Sequence, residues 1–362
     1  MDTYKISLAA GDGVGTELTE QARKCLRALE KRYCVRFDIS DVICCGSAID
    51  KYGSPLPPSQ AEIASNCQAV IIGNIGDRKY SALPHNLQPT HALLELRKIF
   101  NVGINLRPMY AYSEFSALSP LKDSIISAGM NILLVRDLMG GMLNFPCKSG
   151  RGAEGEEAGD LEYYNEQMIE SIARFAFSSA RNRRKCVHNI DKANVLTSSR
   201  LWREIVCRVS EDFPDIVLNH DYVDHASMEL LSSPDEYDVI LTSNVFGDIL
   251  ADEIAQITGT PWMFGSAELS CTNCGIYTPN QLHHPRSDKL RGQDAVCPYG
   301  IINATAMMLK YTLDRDDLSS AVTAAVRRAV SEKYITAEIE SDNMQVVSTN
   351  TLGNIISDYI LA

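Results

Sequence analysis

Short apolar runs that alternate with longer stretches of helical periodicity constrain the fold of this chain more than any other feature of its sequence. Residues 4–10, 35–39, 69–73, 131–135, 186–190, 216–219 and 237–242 read as strands, several of them apolar enough to be buried on both faces. Between them, residues 59–66, 90–98, 166–181, 199–210 and 222–232 carry helical spacing, as does a stretch ending near Lys31. Residues 102–106 enter a further strand that ends at Arg107-Pro108, and 301–311 and 319–330 are the last substantial helices expected. Strands alternating with helices predict an α/β fold, a parallel or mixed sheet flanked by helices. Residues 46–57 read as a loop from their Gly and Pro content. The Gly- and Glu-rich stretch 148–159 reads as a mobile loop or an arm reaching a partner.

The first strand runs into Gly11-Asp-Gly-Val-Gly-Thr-Glu17. A dinucleotide fingerprint GxGxxG would need glycine at position 16, where Thr16 stands, so a GxGxxG Rossmann fold is not expected. The glycines still allow a ligand to approach the backbone closely.

A chain of 362 residues can bury a large core, and two lobes are expected. With 45% hydrophobic and 22% charged residues it has ordinary globular composition. A formal charge of −12 argues against nucleic acid or an anionic membrane as the main partner. No apolar run has bilayer length, and Met1-Asp-Thr-Tyr-Lys5 opens neither a secretory signal nor a transit peptide. A cytoplasmic location is the expectation. The eleven cysteines are scattered, often within apolar runs (Cys44, Cys45, Cys67, Cys186, Cys207), as suits small, buried, reduced residues. The one CxxC, Cys271–Cys274, has no second pair at zinc spacing and reads as loop.

Chemistry gathers around Asn244-Val-Phe-Gly-Asp-Ile-Leu-Ala-Asp-Glu253. Gly247 is expected to turn the chain and Asp248 to begin a helix, with Asp248 and Asp252 as i,i+4 neighbours. Two stacked carboxylates call for a cation, and oxygen ligands suit Mg²⁺ or Mn²⁺. Alternatively the acids sit at the positive end of a helix dipole. Arg97, Arg107 and Arg136 are among the charged positions that fall at strand ends or helix starts, and paired hydrogen bonds from them could clamp the carboxylates of a dianion. Each taken singly could equally be a surface ion-pair residue. Lys192 is a candidate general base or proton relay, and Asp224 a third carboxylate for the metal.

Gly11-Asp-Gly-Val-Gly15, Leu96-Arg-Lys98, Asn105-Leu-Arg-Pro108, Asp191-Lys-Ala-Asn-Val195, Tyr222-Val-Asp224 and the 244–253 stretch together resemble the metal-dependent β-decarboxylating dehydrogenases. This is the isocitrate/isopropylmalate dehydrogenase group. The likeness covers nearly the whole chain and leans to the isopropylmalate branch through residues 198–206 and Gly46-Ser-Ala-Ile-Asp50. It implies NAD(P)- and divalent-metal-dependent oxidation and decarboxylation of a 3-substituted malate, in leucine biosynthesis or a specialised pathway using a related 2-hydroxy diacid. Arg97, Arg107 and Arg136 would hold the malate carboxylates. Asp224, Asp248 and Asp252 would bind Mg²⁺ or Mn²⁺, with Lys192 and Asp224 reaching in from the second subunit of a homodimer. Lys192 and Asp224 would be the catalytic pair. Residues 1–106 and 261–362 would form a discontinuous nucleotide-binding domain, and 107–260 a central domain for substrate, metal and dimerisation.

The match breaks in three places. Leu143 stands where the family usually has the Tyr that protonates C3 after decarboxylation, leaving Asn144, Tyr163, Tyr164 or water to supply the proton. In the adenosine loop, 278–289, the Asp that selects NAD aligns with Lys289 counted from Gly292-Gln-Asp294, or with Asp288 counted from His283. The first count, with Arg286 and Arg291 beside Lys289, leans to NADP; the second keeps NAD; a decayed loop would bind neither well. Asn194 and His284 are the other cofactor-binding candidates. Thr90 stands where a Glu is usual in the substrate pocket, while Leu93 and Leu94 keep an apolar wall. The rivals are a catalytically impaired pseudoenzyme or regulatory subunit of the same fold, and a dehydrogenase that does not decarboxylate efficiently.

Overall fold

The computed structural model describes residues 2–145, 147–339 and 342–362. The chain begins β1 (Asp2–Gly11), α1 (Gly15–Arg32), β2 (Val35–Asp41), α2 (Cys45–Tyr52), α3 (Pro58–Ser65), β3 (Ala69–Asn74) and α4 (His91–Phe100). There follow β4 (Val102–Tyr110), α5 (Asp123–Ile126), β5 (Asn131–Asp137), β6 (Cys147–Gly152), β7 (Gly155–Asp160), α6 (Glu166–Arg181) and β8 (Cys186–Asp191). Next come α7 (Thr197–Ser210), β9 (Val217–Tyr222), α8 (Val223–Ser232), β10 (Val239–Thr242) and α9 (Asn244–Ile257). The last part is β11 (Gly265–Ser270), β12 (Gly275–Pro279), α10 (Ser287–Leu290), α11 (Tyr299–Tyr311), α12 (Asp316–Ser331), β13 (Tyr334–Thr336), β14 (Gln345–Val347) and α13 (Thr349–Leu361). Two compact units result: Met1–Val102 with Pro261–Ala362, and Gly103–Thr260.

In the first unit the strand order is β2-β1-β3-β12-β11. β1 runs parallel to β2 and β3, β12 parallel to β3, and β11 antiparallel to β12. Every residue of β3 is buried, which is why its sequence is an unbroken apolar run rather than an alternation. In the second unit the order is β4-β5-β10-β8-β9. β5, β10, β8 and β9 are mutually parallel, and β4 lies antiparallel to β5. Parallel strands end on the same edge of a sheet, so the carboxyl ends of β5, β8 and β10 deliver Arg136, Asp191 and Thr242 to one side. This α/β architecture is the one the strand–helix alternation predicts. No helix among the described residues is long and apolar enough to cross a membrane.

Several local expectations fail for identifiable reasons. Residues 46–57 are not all loop, because α2 occupies Cys45–Tyr52. Gly46 is there for packing: a Cβ would come within 1.9 Å of the Tyr80 ring. Gly53, at φ 74°, ends that helix in the left-handed conformation glycine favours. Gly247 does not turn the chain; it lies inside α9, whose helix begins at Asn244. Arg107 is within β4 rather than at its end, and 147–160 form the exposed β6–β7 hairpin. Cys44, Cys45 and Cys67 are buried, but Cys186 is half-buried and Cys207 exposed; all eleven cysteines are free thiols. The helix α13 and the β11–β12 hairpin had no expectation at all. Cys271 and Cys274 sit in the tight turn of that hairpin.

Candidate active site

Arg136, at the end of β5, is 3% exposed. Its guanidinium is held from α9: Nε and Nη2 donate to Asn244 Oδ1 at 3.2 and 2.8 Å, and Nη1 pairs with Asp248. Gly247 makes the approach possible, since a Cβ there would meet Arg136 Cγ at 2.6 Å and Cβ at 2.8 Å. Arg107, on the neighbouring strand β4, donates from Nε to Asn105 Oδ1 at 3.0 Å. Its two Nη atoms stand 3.9 Å from Asp248 Oδ1 and 3.8 Å from Asp252 Oδ1. The i,i+4 carboxylates therefore do lie side by side, against two guanidiniums, with side chains 54% and 78% exposed.

Lys192 and Asp224 form a separate pair in the same unit. Lys192 follows Asp191, whose buried carboxylate accepts from Arg203 through two 2.8 Å bonds, from Asn189 Nδ2 at 2.7 Å and from the Ala193 N–H at 2.9 Å. That anchoring fixes the turn from which the Lys192 side chain emerges. The Lys192 ammonium, and its hydrogen bond to Asp224 above all, holds the exposed Asp224 carboxyl below its ordinary value. Among the described residues no three His, Cys, Asp or Glu side chains stand together as a metal cluster. One chain thus places Asp248 beside Asp252 but does not add Asp224 to them. Asp248 and Asp252 offer only oxygen donors and are exposed, the donor type a hard divalent cation takes.

Around Leu143, whose side chain is 55% exposed, the candidate proton donors are differently employed. Asn144 Nδ2 donates to the carbonyl oxygens of Leu138 and Gly140, so its amide is spent on the turn. Tyr164 is buried, its ring lies edge-on to Trp202 at 5.2 Å, and its oxygen accepts from the Asn244 N–H at 2.9 Å. Burial pushes its phenol far above the ordinary value, so it is a poor acid. Tyr163 is exposed, its ring tilted against Phe145 at 4.6 Å, and its hydroxyl is not buried as that of Tyr164 is. Asp137 beside Arg136 is fully buried, accepts from the Gly140 N–H at 2.6 Å, and is pushed up to about 7 by desolvation.

In the first unit the glycine loop 11–15 is filled by protein. A Cβ on Gly11 would meet Asn74 O at 2.0 Å, on Gly13 Ser287 Oγ at 1.7 Å, and on Gly15 Ala10 O at 1.8 Å. These glycines allow close packing of the loop. Asp12 is buried and ties the region together, accepting from Ser47 N at 3.0 Å and Gly76 N at 2.8 Å. The loop 281–294 is likewise built on acids. His284 Nε2 and the Arg286 guanidinium meet the fully buried Glu338, which also accepts from Cys297 N at 2.7 Å. Arg291 pairs with Asp77, Asp288 lies 3.4 Å from Arg78, and Glu17 accepts from the N–H groups of Gly292 and Asp294. Lys289 is exposed and makes no ion pair among the described residues. Asn194 is exposed in the other unit, on the turn after Lys192.

On α4, Thr90 precedes the helix and is exposed, Leu94 is half-buried, and Leu93 belongs to the core at 5% exposure. Arg97 is engaged by Glu268 of β11 through two parallel bonds, Nε to Oε2 at 2.8 Å and Nη2 to Oε1 at 2.6 Å.

The family described as isocitrate/isopropylmalate dehydrogenase matches residues 5–356. The chain belongs to the isocitrate/isopropylmalate dehydrogenase family. It is 42% identical over 362 residues to the 3-isopropylmalate dehydrogenase of Aliivibrio fischeri, covering 99% of this chain and 98% of that one. It is 43% identical over 360 residues to the 3-isopropylmalate dehydrogenase of Escherichia coli O157:H7, with the same coverage. Among solved structures, the β-decarboxylating dehydrogenase TK0280 from Thermococcus kodakarensis superposes with a TM-score of 0.77 at 26% identity, covering 99% and 96% of the two chains. Isocitrate dehydrogenase from Methylococcus capsulatus shares the fold, with a TM-score of 0.84 at 24% identity over 99% of this chain and all of that one. The chain is thus a member of an oxidoreductase family, and Arg107, Arg136, Lys192, Asp224, Asp248 and Asp252 all lie in its second unit.

Asn105 and Asn244, which hold Arg107 and Arg136, lie within the Asn105–Pro108 and 244–253 motifs, but nothing in the pattern singles them out. Glu268 and Glu338 lay in no motif, and only folding reveals what they hold.

Proposed function

We propose that the protein oxidises and decarboxylates a 3-substituted malate of the 3-isopropylmalate type, using a nicotinamide dinucleotide and Mg²⁺ or Mn²⁺, as a cytoplasmic homodimer. The observation that carries this is the cluster of Arg107, Arg136, Asp248 and Asp252, two buried or half-buried guanidiniums facing two exposed carboxylates. Arg107 and Arg136 bind the substrate carboxylates, with Asn105 and Asn244 holding their planes. Asp248 and Asp252 would hold the divalent ion together with Asp224 of the partner subunit. When bound, that ion supplies positive charge that favours loss of the hydroxyl proton and then of CO₂. Lys192 of the partner subunit takes the C2 hydroxyl proton, and Asp224 orients the ammonium that results. The nicotinamide ring supplies the hydride acceptor. The proton returned to C3 comes from water or Tyr163, since Leu143 has none to give.

For the nucleotide, Lys289 is the cation offered to a 2′-phosphate, because Arg286 and Arg291 are already met by Glu338 and Asp77. NADP is therefore the favoured cofactor. Calorimetric titration of NAD and NADP with Mg²⁺ present, then reduced-nicotinamide absorbance with 3-isopropylmalate and other 3-substituted malates, tests the reading. Binding with turnover supports it; no nucleotide binding in the presence of metal and substrate would sink it. Lys289→Asp should move preference towards NAD by about tenfold or more; no shift removes the case for NADP.

A further inference from the structure

Cys44 and Cys45 are consecutive in the chain, both fully buried, and the site described above uses neither. In extended backbone, successive side chains point to opposite faces. Cys44 is extended, at φ −138° and ψ 179°. Cys45 instead has a φ of 64°, which turns its side chain back and leaves the two sulfurs 3.4 Å apart. That left-handed conformation strains any residue with a Cβ and persists only where its surroundings impose it. Here they do. The Cys45 N–H donates to Pro55 O at 2.8 Å, the Ser47 hydroxyl to Cys44 O at 2.7 Å, and the Ser47 N–H to Asp12 Oδ1 at 3.0 Å. Glycine would meet the backbone requirement without strain; a cysteine there sets one thiol against another. The Cys45 thiol is held well above its ordinary value, first by its hydrogen bond to Cys44 and then by burial. Cys45 is therefore the donor of that bond, and Cys44 is the sulfur presented as nucleophile.

We infer that Cys44 and Cys45 are an oxidative modification site, closed reversibly by hydrogen peroxide to a disulfide between adjacent residues. The Cys44 thiolate attacks one peroxide oxygen, giving a sulfenic acid and a hydroxide that takes up the proton Cys44 released. The Cys45 sulfur then displaces the sulfenic oxygen, which leaves as water with the Cys45 proton. Two thiols are oxidised and one peroxide is reduced to two waters. Adjacent Cα atoms are about 3.8 Å apart, closer than the roughly 4.4 Å or more that ordinary disulfides span. A bond so constrained is readily reduced, which suits a reversible switch rather than a permanent staple. Closure draws the sulfurs from 3.4 Å to about 2 Å and fixes the peptide between them. The next two residues, Gly46 and Ser47, both donate backbone N–H bonds to Asp12, which is buried and also holds the Gly76 N–H at 2.8 Å. Closure therefore pulls donors away from a buried carboxylate and destabilises the first unit.

The test needs no catalytic assay, so its failure is distinct from failure of the proposed activity. The reduced full-length protein is treated with increasing hydrogen peroxide, denatured, alkylated with iodoacetamide, digested with trypsin and weighed by mass spectrometry. The tryptic peptide 37–51 holds Cys44 and Cys45 and no other cysteine. It should become two hydrogens lighter and resist alkylation, and dithiothreitol should restore it. Cys25 and Cys297, also buried but with no second sulfur against them among the described residues, should stay reduced at the same dose. The melting temperature should fall by a few degrees on closure and recover on reduction. A 37–51 peptide that stays reduced while the exposed Cys34 oxidises, or that goes to sulfinic acid without a closed form, overturns the inference. A closed peptide with an unmoved melting temperature overturns the link to Asp12. Cys45→Gly suits the backbone at that position and should fold. It should show neither the closed peptide nor the peroxide-dependent fall in melting temperature; the same fall in this variant overturns the inference.

Discussion

At the scale of single residues, Arg136 shows how a long charged side chain is made rigid. Its stem passes over Gly247 and its head is gripped by Asn244 and Asp248, all on the first turns of α9. Gly247→Ala should gain about 1 kcal/mol in helix propensity. The new Cβ, however, would lie 2.6 Å from Arg136 Cγ, near the backbone where the side chain has least freedom. We expect kcat/KM to fall by about a hundredfold while the melting temperature moves only a few degrees, read by steady-state kinetics and calorimetry. Asp137 makes a separate prediction. Burial pushes its carboxyl up to about 7, so between the ordinary carboxylate range and that value the folded chain keeps a proton the unfolded chain has lost. Stability contributed by this group must therefore fall as pH rises through that window. Asp137→Asn should flatten the decline, by up to about 4 kcal/mol, in melting curves taken from about pH 4 to about pH 8. Identical pH profiles for the two proteins would contradict the assignment.

At the scale of elements, what the sequence made legible follows what local pattern encodes. Buried parallel strands such as β3, β5 and β10 are unbroken apolar runs, and α6 appears over its full extent because its apolar spacing has a long window to repeat in. Asp248 and Asp252 could be paired from i,i+4 spacing alone. Gly46 and Gly247 misled because glycine serves close packing as readily as turning, and only the neighbours, Tyr80 and Arg136, decide between them. The Arg97–Glu268 and His284–Glu338 pairs join residues far apart in the chain, and no periodicity encodes them. Glu338 organises the 281–294 loop from outside it. Glu338→Ala should destabilise the protein by about 3–5 kcal/mol, because His284, Arg286 and the Cys297 N–H lose their shared acceptor. Denaturant unfolding measures this, and the nucleotide KM should rise with it.

At the scale of the whole molecule, Asp224 is paired with Lys192 and stands in no three-carboxylate cluster with Asp248 and Asp252. The second unit also exposes Met228 and Leu231 on α8 and Ile249 on α9, apolar side chains that the proposed homodimer would cover. If the site is shared, Lys192→Ala and Asp248→Asn proteins, each inactive, should recover about a quarter of wild-type activity when unfolded and refolded together in equal amounts. Half the dimers would then be mixed, each with one intact site. No recovery would mean that each chain works alone. The most direct test of the central claim is a single assay of wild type with 3-isopropylmalate, Mg²⁺ and NADP or NAD, counting reduced nicotinamide and released CO₂ together. Equal amounts of the two products, both lost in Lys192→Ala, are expected. Reduced nicotinamide without CO₂ would show oxidation that stops short of decarboxylation, and neither product would show that this scaffold no longer carries out the chemistry of its family.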